Sequence, residues 1–295
     1  MDNVIECHNL THYYGNKLVF ENLNFRIKEG SILGLLGKNG TGKTTVFNIL
    51  NGFLHPTKGQ CFIWGEDSQY LSDMSKLRIG FLIEGHIQYA FMNIQQIERF
   101  YRGFYPRWKS ASFWELISKL DISPRQRIST MSCGQRSQVA LGLILAQDPD
   151  LLILDDFSMG LDPGYRRLFV DYLREYAKSE NKTIFTTSHI IQDMERLIDD
   201  VLIIGSNNVL VQSTLNEFLD NFNRFDFELE ESKTELKKDA ILVNIERVKN
   251  KVELYTFSSE NEIYKYLADK NVSVKNFKRV SMALEDAFIG LTGKY

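Results

Sequence analysis

Two stretches of this 295-residue chain carry residue types that do chemistry in company. In GKNGTGKT (residues 37–44), the glycines Gly37, Gly40 and Gly42 precede Lys43 and Thr44 at the spacing G-x-x-x-x-G-K-[ST]. Glycines let a backbone bend and turn its N–H groups inward, a lysine adds a positive charge, and a hydroxyl can bind a hard cation. An apolar run, SILGLLG, leads in, and KTTVFNILNGFL leads out with helical period, so a helix N-terminus faces the same point. The result is a polyphosphate cradle whose candidate binding residues are Gly37, Lys38, Asn39, Gly40, Thr41, Gly42, Lys43, Thr44 and Thr45. The second stretch is LLILDDFS (151–158), an apolar run that ends in the carboxylates Asp155 and Asp156. Burying such a pair is costly unless a charge compensates it. Mg²⁺ on a bound polyphosphate would do so, which makes Thr44 and Asp155 candidate metal ligands. Alone, the first stretch also reads as a glycine-rich turn and the second as a strand running into a helix cap.

The elements that must position these residues follow from periodicity. Residues 1 to 30 alternate in short runs and predict a β-rich segment. Residues 88 to 147 are mostly helical in period. Thereafter the runs LLILDD, KTIFTTSH and VLIIG alternate with the helical patterns GYRRLFVDYLREYAKS and IIQDMERLID, which predicts a parallel α/β sheet. The pattern changes near residue 213. FDFELEE, AILVNIERV and KVELYTF read as strands, SSENEIYKYLADKN as a helix with a Ser259–Glu262 capping-box spacing, and SVKNFKRV and MALEDAFIGLTG as strand and helix. Two domains are expected, 1–212 and 213–295, the first with a helical subdomain at about 86–147 and the second a small α+β domain.

Composition narrows the class. The chain is 43% hydrophobic and 25% charged with a net charge of −3, which argues against bulk electrostatic binding to nucleic acid or anionic lipid. Its three cysteines, Cys7, Cys61 and Cys133, form no CxxC pair, against a disulfide framework or zinc site and in keeping with a reducing cytosol. The first ten residues lack an apolar signal core, and no run reaches the roughly 18 apolar residues of a membrane span. Docking on a membrane protein stays open.

Between the cradle and the carboxylates lies STMSCGQRSQVALGLILAQDP. Its MSCGQ (131–135), the following SMGLD (158–162) and the TTSH ending in His189 stand in the order of the signature, D-loop and switch of ABC-type ATPases, and residues 4 to 212 resemble that family. The resemblance implies a P-loop NTPase fold of ABC type, with a RecA-like parallel-sheet core, an N-terminal antiparallel β segment and a helical subdomain. It implies ATP and Mg²⁺ as cofactors, with Tyr14 stacked on adenine (Tyr13 as fallback) and Asp155 as the Walker B metal residue. Two cassettes, as a homo- or heterodimer, would pair head to tail. Ser132, Gly134 and Gln135 of one would meet the γ-phosphate held by the other, and His189 would hold the attacking water.

Three residues depart from the family pattern. Glu84, in IGFLIEG, replaces the usual glutamine that touches metal and water. Cys133 replaces the first glycine of the signature, where a packed side chain is the plainer reading than a reactive thiol. Asp156 replaces the usual catalytic glutamate. Losing one methylene retracts the carboxylate by ~1.5 Å, one C–C bond. A misplacement of about 1 Å can cost on the order of a hundredfold in rate. ATP binding is therefore expected to be intact and hydrolysis slow, with Asp156, His189 and Glu84 as the catalytic set.

FYPRWKSASFWELISKLDIS and VSMALEDAFIGLTG resemble the branch of exporters whose membrane subunits are encoded separately, and Glu84 resembles peptide-antibiotic exporters. Cytoplasmic placement on the inner face of the membrane, with an integral-membrane permease and without nucleic acid, follows from that resemblance. Ile87, Tyr89, Phe91, Met92, Phe100, Tyr101, Phe104, Tyr105 and Trp108 crowd the helical subdomain. More than half are expected to form its own core, leaving Tyr89, Phe91 and Met92 as the permease-docking surface. The C-terminal domain reads as a dimer-stabilising or regulatory module. A nucleotide-gated interaction protein with little hydrolysis is the competing function.

Overall fold

The computed structural model describes residues 3–83, 89–119, 122–158, 160–205, 207–230 and 236–294. The chain divides into two compact units, Met1–Gln212 and Ser213–Tyr295. The first opens with a long hairpin of β1 (Asn3–Tyr14) and β2 (Lys17–Lys28), paired antiparallel from Asn3↔Lys28 to Tyr14↔Lys17. The apolar run Ile32–Leu36 lies wholly buried in β3 (Ile32–Gly37), as expected of a strand covered on both faces. Helix α1 (Lys43–Leu50) follows, then β4 (Lys58–Ile63) and the short β5 (Glu66–Asp67). Strands in the order β2-β1-β4-β5 form the first sheet, antiparallel throughout.

A single helical turn, α2 (Asp73–Lys76), precedes β6 (Ile79–Leu82). The helical part comprises α3 (Ile94–Arg102), α4 (Ser110–Ser118) and α5 (Cys133–Ala146). The alternation then becomes β7 (Leu151–Asp155), α6 (Pro163–Ser179), β8 (Thr183–Thr187), α7 (Ile191–Leu197), β9 (Asp200–Ile204) and β10 (Val209–Thr214). The central sheet has the order β10-β9-β3-β8-β7-β6, with β9, β3, β8, β7 and β6 parallel. Phe185 of β8 packs 4.7 Å from Phe47 of α1 and 5.8 Å from Phe25 of β2, joining helix and both sheets in one core. Burying each such ring contributes roughly 1.5–3 kcal/mol. The register Asp155↔Thr187 sets the carboxyl ends of β7 and β8 side by side, at the edge where open α/β sheets bind ligands.

At the opposite end of β7, Asp148 and Asp150 collect cations from distant parts of the chain. Arg78 Nε donates to Asp150 at 2.6 Å, Arg107 Nη2 to Asp150 at 2.7 Å, and the buried Lys182 Nζ to Asp148 at 2.8 Å. Burial pushes the Asp150 carboxyl up, but the hydrogen bonds from Arg107 and Arg78 and the charge of Arg107 and Lys182 more than offset it. The group is held well below the usual carboxylate range.

The aromatic set of the helical part departs from expectation. None of Tyr89, Phe91, Met92, Phe100, Tyr101, Phe104, Tyr105 and Trp108 is fully buried, and Tyr89, Phe91, Phe100 and Phe104 are exposed. The inward face of α3 is narrow and buries only Ile94, Ile97 and Glu98. Glu98 accepts hydrogen bonds from Trp108 Nε1 at 3.0 Å and Ser110 Oγ at 2.7 Å. Phe100 meets Tyr89 and Phe104 edge to face, 5.0 Å from each, and Tyr101 lies parallel to Tyr105. Ile87 and Glu84 lie outside the described residues.

The second unit contains α8 (Leu215–Asn221), β11 (Asn223–Leu229), β12 (Asn244–Val248), β13 (Lys251–Thr256), α9 (Glu260–Asp269), β14 (Val274–Val280) and α10 (Leu284–Thr292). Its antiparallel sheet has the order β12-β13-β11-β14. Phe225, Phe227 and Leu254 of that sheet share a core with Ile263 and Leu267 of α9. The Ser259–Glu262 capping box forms, with Ser259 N donating to Glu262 at 2.7 Å. Strand β12 starts four residues later than the apolar run AILVNIERV suggests, because Asp239 Oδ1 accepts from Ile241 N and Leu242 N and spends those amides in a local turn.

Candidate functional site

A cleft of about 300 Å³ opens at the carboxyl end of the central sheet. Asn39, Gly40, Gly42, Lys43, Thr44 and Thr45 line it together with Asp155, Asp156 and His189. Tyr14, not Tyr13, borders the mouth. It is 53% exposed, with its hydroxyl 3.4 Å from Thr45 Oγ1 and its ring edge-on to His12. Such an exposed ring, tethered at its far end, offers a flat face for stacking.

The cradle is held by its own groups. Gly42 caps α1 at φ 93°, and a Cβ there would stand 2.5 Å from Val19 Cγ1 and 2.8 Å from Phe20 Cδ1, so only glycine fits. Among the described residues no side chain caps α1, which leaves its first amides for a ligand. Lys43 Nζ donates to the carbonyls of Gly37 at 2.7 Å and Lys38 at 3.2 Å, and Thr41 Oγ1 donates to Lys38 O at 2.9 Å. Gly37, Lys38 and Thr41 thus brace the loop from behind. Burial lowers the Lys43 pKa, and the charges of Asp155 and then Asp156 oppose that shift.

Asp155 and Asp156 are both buried. Asp156 adopts φ 49°, its N–H donates to Thr187 O at 3.1 Å, and its Oδ2 lies 3.7 Å from His189 Nε2. The loop before His189 is pinned by Ser188, whose Oγ lies 3.0 Å from Ser158 Oγ in a buried contact and accepts from Ile190 N at 3.1 Å.

Ser132, Gly134 and Gln135 do not border this cleft. They form the start of α5, where Ser132 Oγ accepts from Gln135 N at 3.2 Å and Gln135 Oε1 accepts from Ser132 N at 3.0 Å. A Cβ on Gly134 would stand 2.4 Å from the Gly160 carbonyl oxygen, so the α5 N-terminus and the D-loop touch through backbone. Cys133 is exposed at this helix start, against the expectation of a packed side chain.

The cleft also contains Lys17, Val19, Thr187 and Ser188, which the motifs did not indicate. Lys17 directly follows the YYGN turn beside Tyr14, and Thr187 stands two residues before His189. A Mg²⁺–triphosphate fits this donor set. The carboxylates and hydroxyls are hard oxygen ligands suited to Mg²⁺, and a lysine and free helix amides suit the phosphates. Among the described residues the buried Thr187 Oγ1 has no hydrogen-bond partner, an acceptor and donor left over for a ligand shell.

Comparison with known proteins agrees with this geometry. The family model described as "ABC transporter" matches residues 20–158. The chain is 30% identical over 223 residues to the Nod factor export ATP-binding protein I of Burkholderia orbicola, covering 74% of this chain and 73% of that one. It is 27% identical to the bacitracin transport ATP-binding protein BcrA of Bacillus licheniformis, over 99% of this chain and 98% of that one. In fold it is similar to a dimeric ATP-binding cassette solved in a post-hydrolysis state bound to ADP and Pi, with a TM-score of 0.63 and 21% identity over 72% of this chain and 98% of that one. The chain belongs to the ABC transporter family, as an ATP-binding subunit.

Proposed function

We propose that this ATPase powers an exporter and turns over slowly. The observation that carries this reading is the cleft itself, where the cradle, two buried carboxylates and His189 converge on one space. Thr44 and Asp155, with Glu84 from the sequence, would hold Mg²⁺, which when bound neutralises phosphate charge. Amides of α1 and Lys43 grip the outer phosphates, and Tyr14 stacks on the base. Asp156 accepts the proton of the attacking water while His189 orients it. The short side chain of Asp156 keeps its oxygens back from that water, which favours binding over cleavage.

Export is supported by the names of the relatives, one an export and one a transport ATP-binding protein. Among the described residues no helix is long and apolar enough to cross a membrane. We therefore assign the work of crossing to a separate permease, with this subunit on its cytoplasmic face. Tyr89 and Phe91, both exposed, and the half-buried Met92 suit the contact with that permease. Ser132, Gly134 and Gln135, at a helix start outside the chain's own cleft, suit the γ-phosphate of a second cassette, a copy of this chain or a related one.

Purification of the tagged chain from its native membranes tests the assignment. A multi-spanning partner should co-purify, and ATP turnover should change when that partner is present. A chain recovered alone, with turnover indifferent to membranes, would favour the nucleotide-gated interaction protein instead.

A further inference from the structure

We infer that Thr187 is a further metal-positioning residue, its hydroxyl holding a water of the magnesium shell. This rests on the Mg²⁺–ATP reading above and extends it to a residue that no motif identifies. Three hydroxyl residues stand in a row at the end of β8, and two are committed elsewhere. Thr186 Oγ1 donates to Leu154 O at 3.0 Å. Ser188 Oγ pairs with Ser158 and accepts from Ile190 N. Strand alternation turns the middle side chain to the face opposite Thr186. Thr187 is 3% exposed, lines the cleft, and has no hydrogen-bond partner for its Oγ1 among the described residues. A buried hydroxyl without a partner calls for an explanation, since valine fills the same volume in a strand.

The register supplies the explanation. Thr187 is paired directly with Asp155 across β7 and β8, so its hydroxyl stands beside the carboxylate assigned to the metal. Magnesium sheds its waters reluctantly and reaches most protein sites through them. A hydroxyl that both donates and accepts suits such a water, whereas a direct metal bond is the task of the charged neighbour. Groups one layer out from a metal commonly tune its affinity by 10–100-fold.

The test is titration of Mn²⁺ into the full chain in the presence of ADP, read by electron paramagnetic resonance, beside binding of ADP alone in chelator. Thr187→Val should weaken Mn²⁺ affinity by about tenfold. Thr187→Ser should stay within about threefold of native, and ADP affinity without metal should be unchanged in both. Native-like Mn²⁺ binding by Thr187→Val would overturn the inference, as would an equal loss of metal-free ADP binding. Failure of the native chain to bind Mn²⁺ with ADP would instead remove the reading on which the inference rests.

Discussion

His189 Nε2 and Asp156 Oδ2 lie 3.7 Å apart in the lining of the cleft, one partner exposed and the other buried. Asp156 reaches this position from a left-handed backbone, with its N–H fixed to the Thr187 carbonyl. The Asp156 backbone is therefore tied to the end of β8, and the exposed imidazole lines the ligand space. Removing the imidazole should leave nucleotide affinity within about threefold of native but lower phosphate release on the order of a hundredfold, the range of a positioned acid–base group. Calorimetric binding and steady-state phosphate release on His189→Ala check this, and unchanged turnover would assign His189 a passive role.

The backbone contact of Gly134 with Gly160 gives a second outcome. A methyl group on Gly134 would meet the Gly160 oxygen at 2.4 Å, so either α5 or the D-loop must move. Gly134→Ala should cost about 1–3 kcal/mol in denaturant unfolding, the usual range for overpacking. Cys133→Gly, one residue earlier, removes an exposed thiol that only borders Gly160 and should cost less, roughly 0.5–1 kcal/mol, chiefly glycine's backbone entropy. Equal losses at the two sites would mean that the close approach carries no strain.

Acid stability should report the cation cluster around Asp150. Its folded carboxyl is held below the unfolded value of about 4, so it binds its proton less readily in the folded state. The stability it contributes is present above about pH 4 and is lost as the pH falls toward the folded value. Asp150→Asn should therefore lower stability at pH 7 by about 1–2 kcal/mol, after discounting for solvent screening, and flatten the acid limb of the stability curve. Thermal melts of both proteins from pH 7 to pH 3 measure it, and parallel curves would contradict the assignment.

The cradle, the Asp155–Asp156 pair and the alternation of strands and helices were legible because each is local: a spacing, a run, a period. The capping box at Ser259 was legible for the same reason. Thr187 was not, because its meaning comes from standing opposite Asp155 in a neighbouring strand and from Thr186 and Ser188 being engaged elsewhere. The cluster on Asp148 and Asp150 was equally hidden, since Arg78, Arg107 and Lys182 reach it from separate segments. Apolar content misplaced the aromatic set, because Ile94 and Ile97 alone fill the inward apolar face of α3 and leave Phe100 and Phe104 outside. The late start of β12 depended on a side chain, Asp239, that captures amides a strand would have used.

The length of the carboxylate at position 156 is the claim on which the functional account turns. Single-turnover release of labelled phosphate from prebound Mg²⁺–ATP, compared between the native chain and Asp156→Glu, tests it most directly. A left-handed backbone admits aspartate more readily than glutamate, so melting temperatures are measured alongside to show that both proteins fold. The account predicts equal nucleotide affinity and a faster glutamate variant, by on the order of a hundredfold if the full reach is restored. A folded Asp156→Glu protein that binds ATP and releases phosphate no faster than the native chain would contradict it.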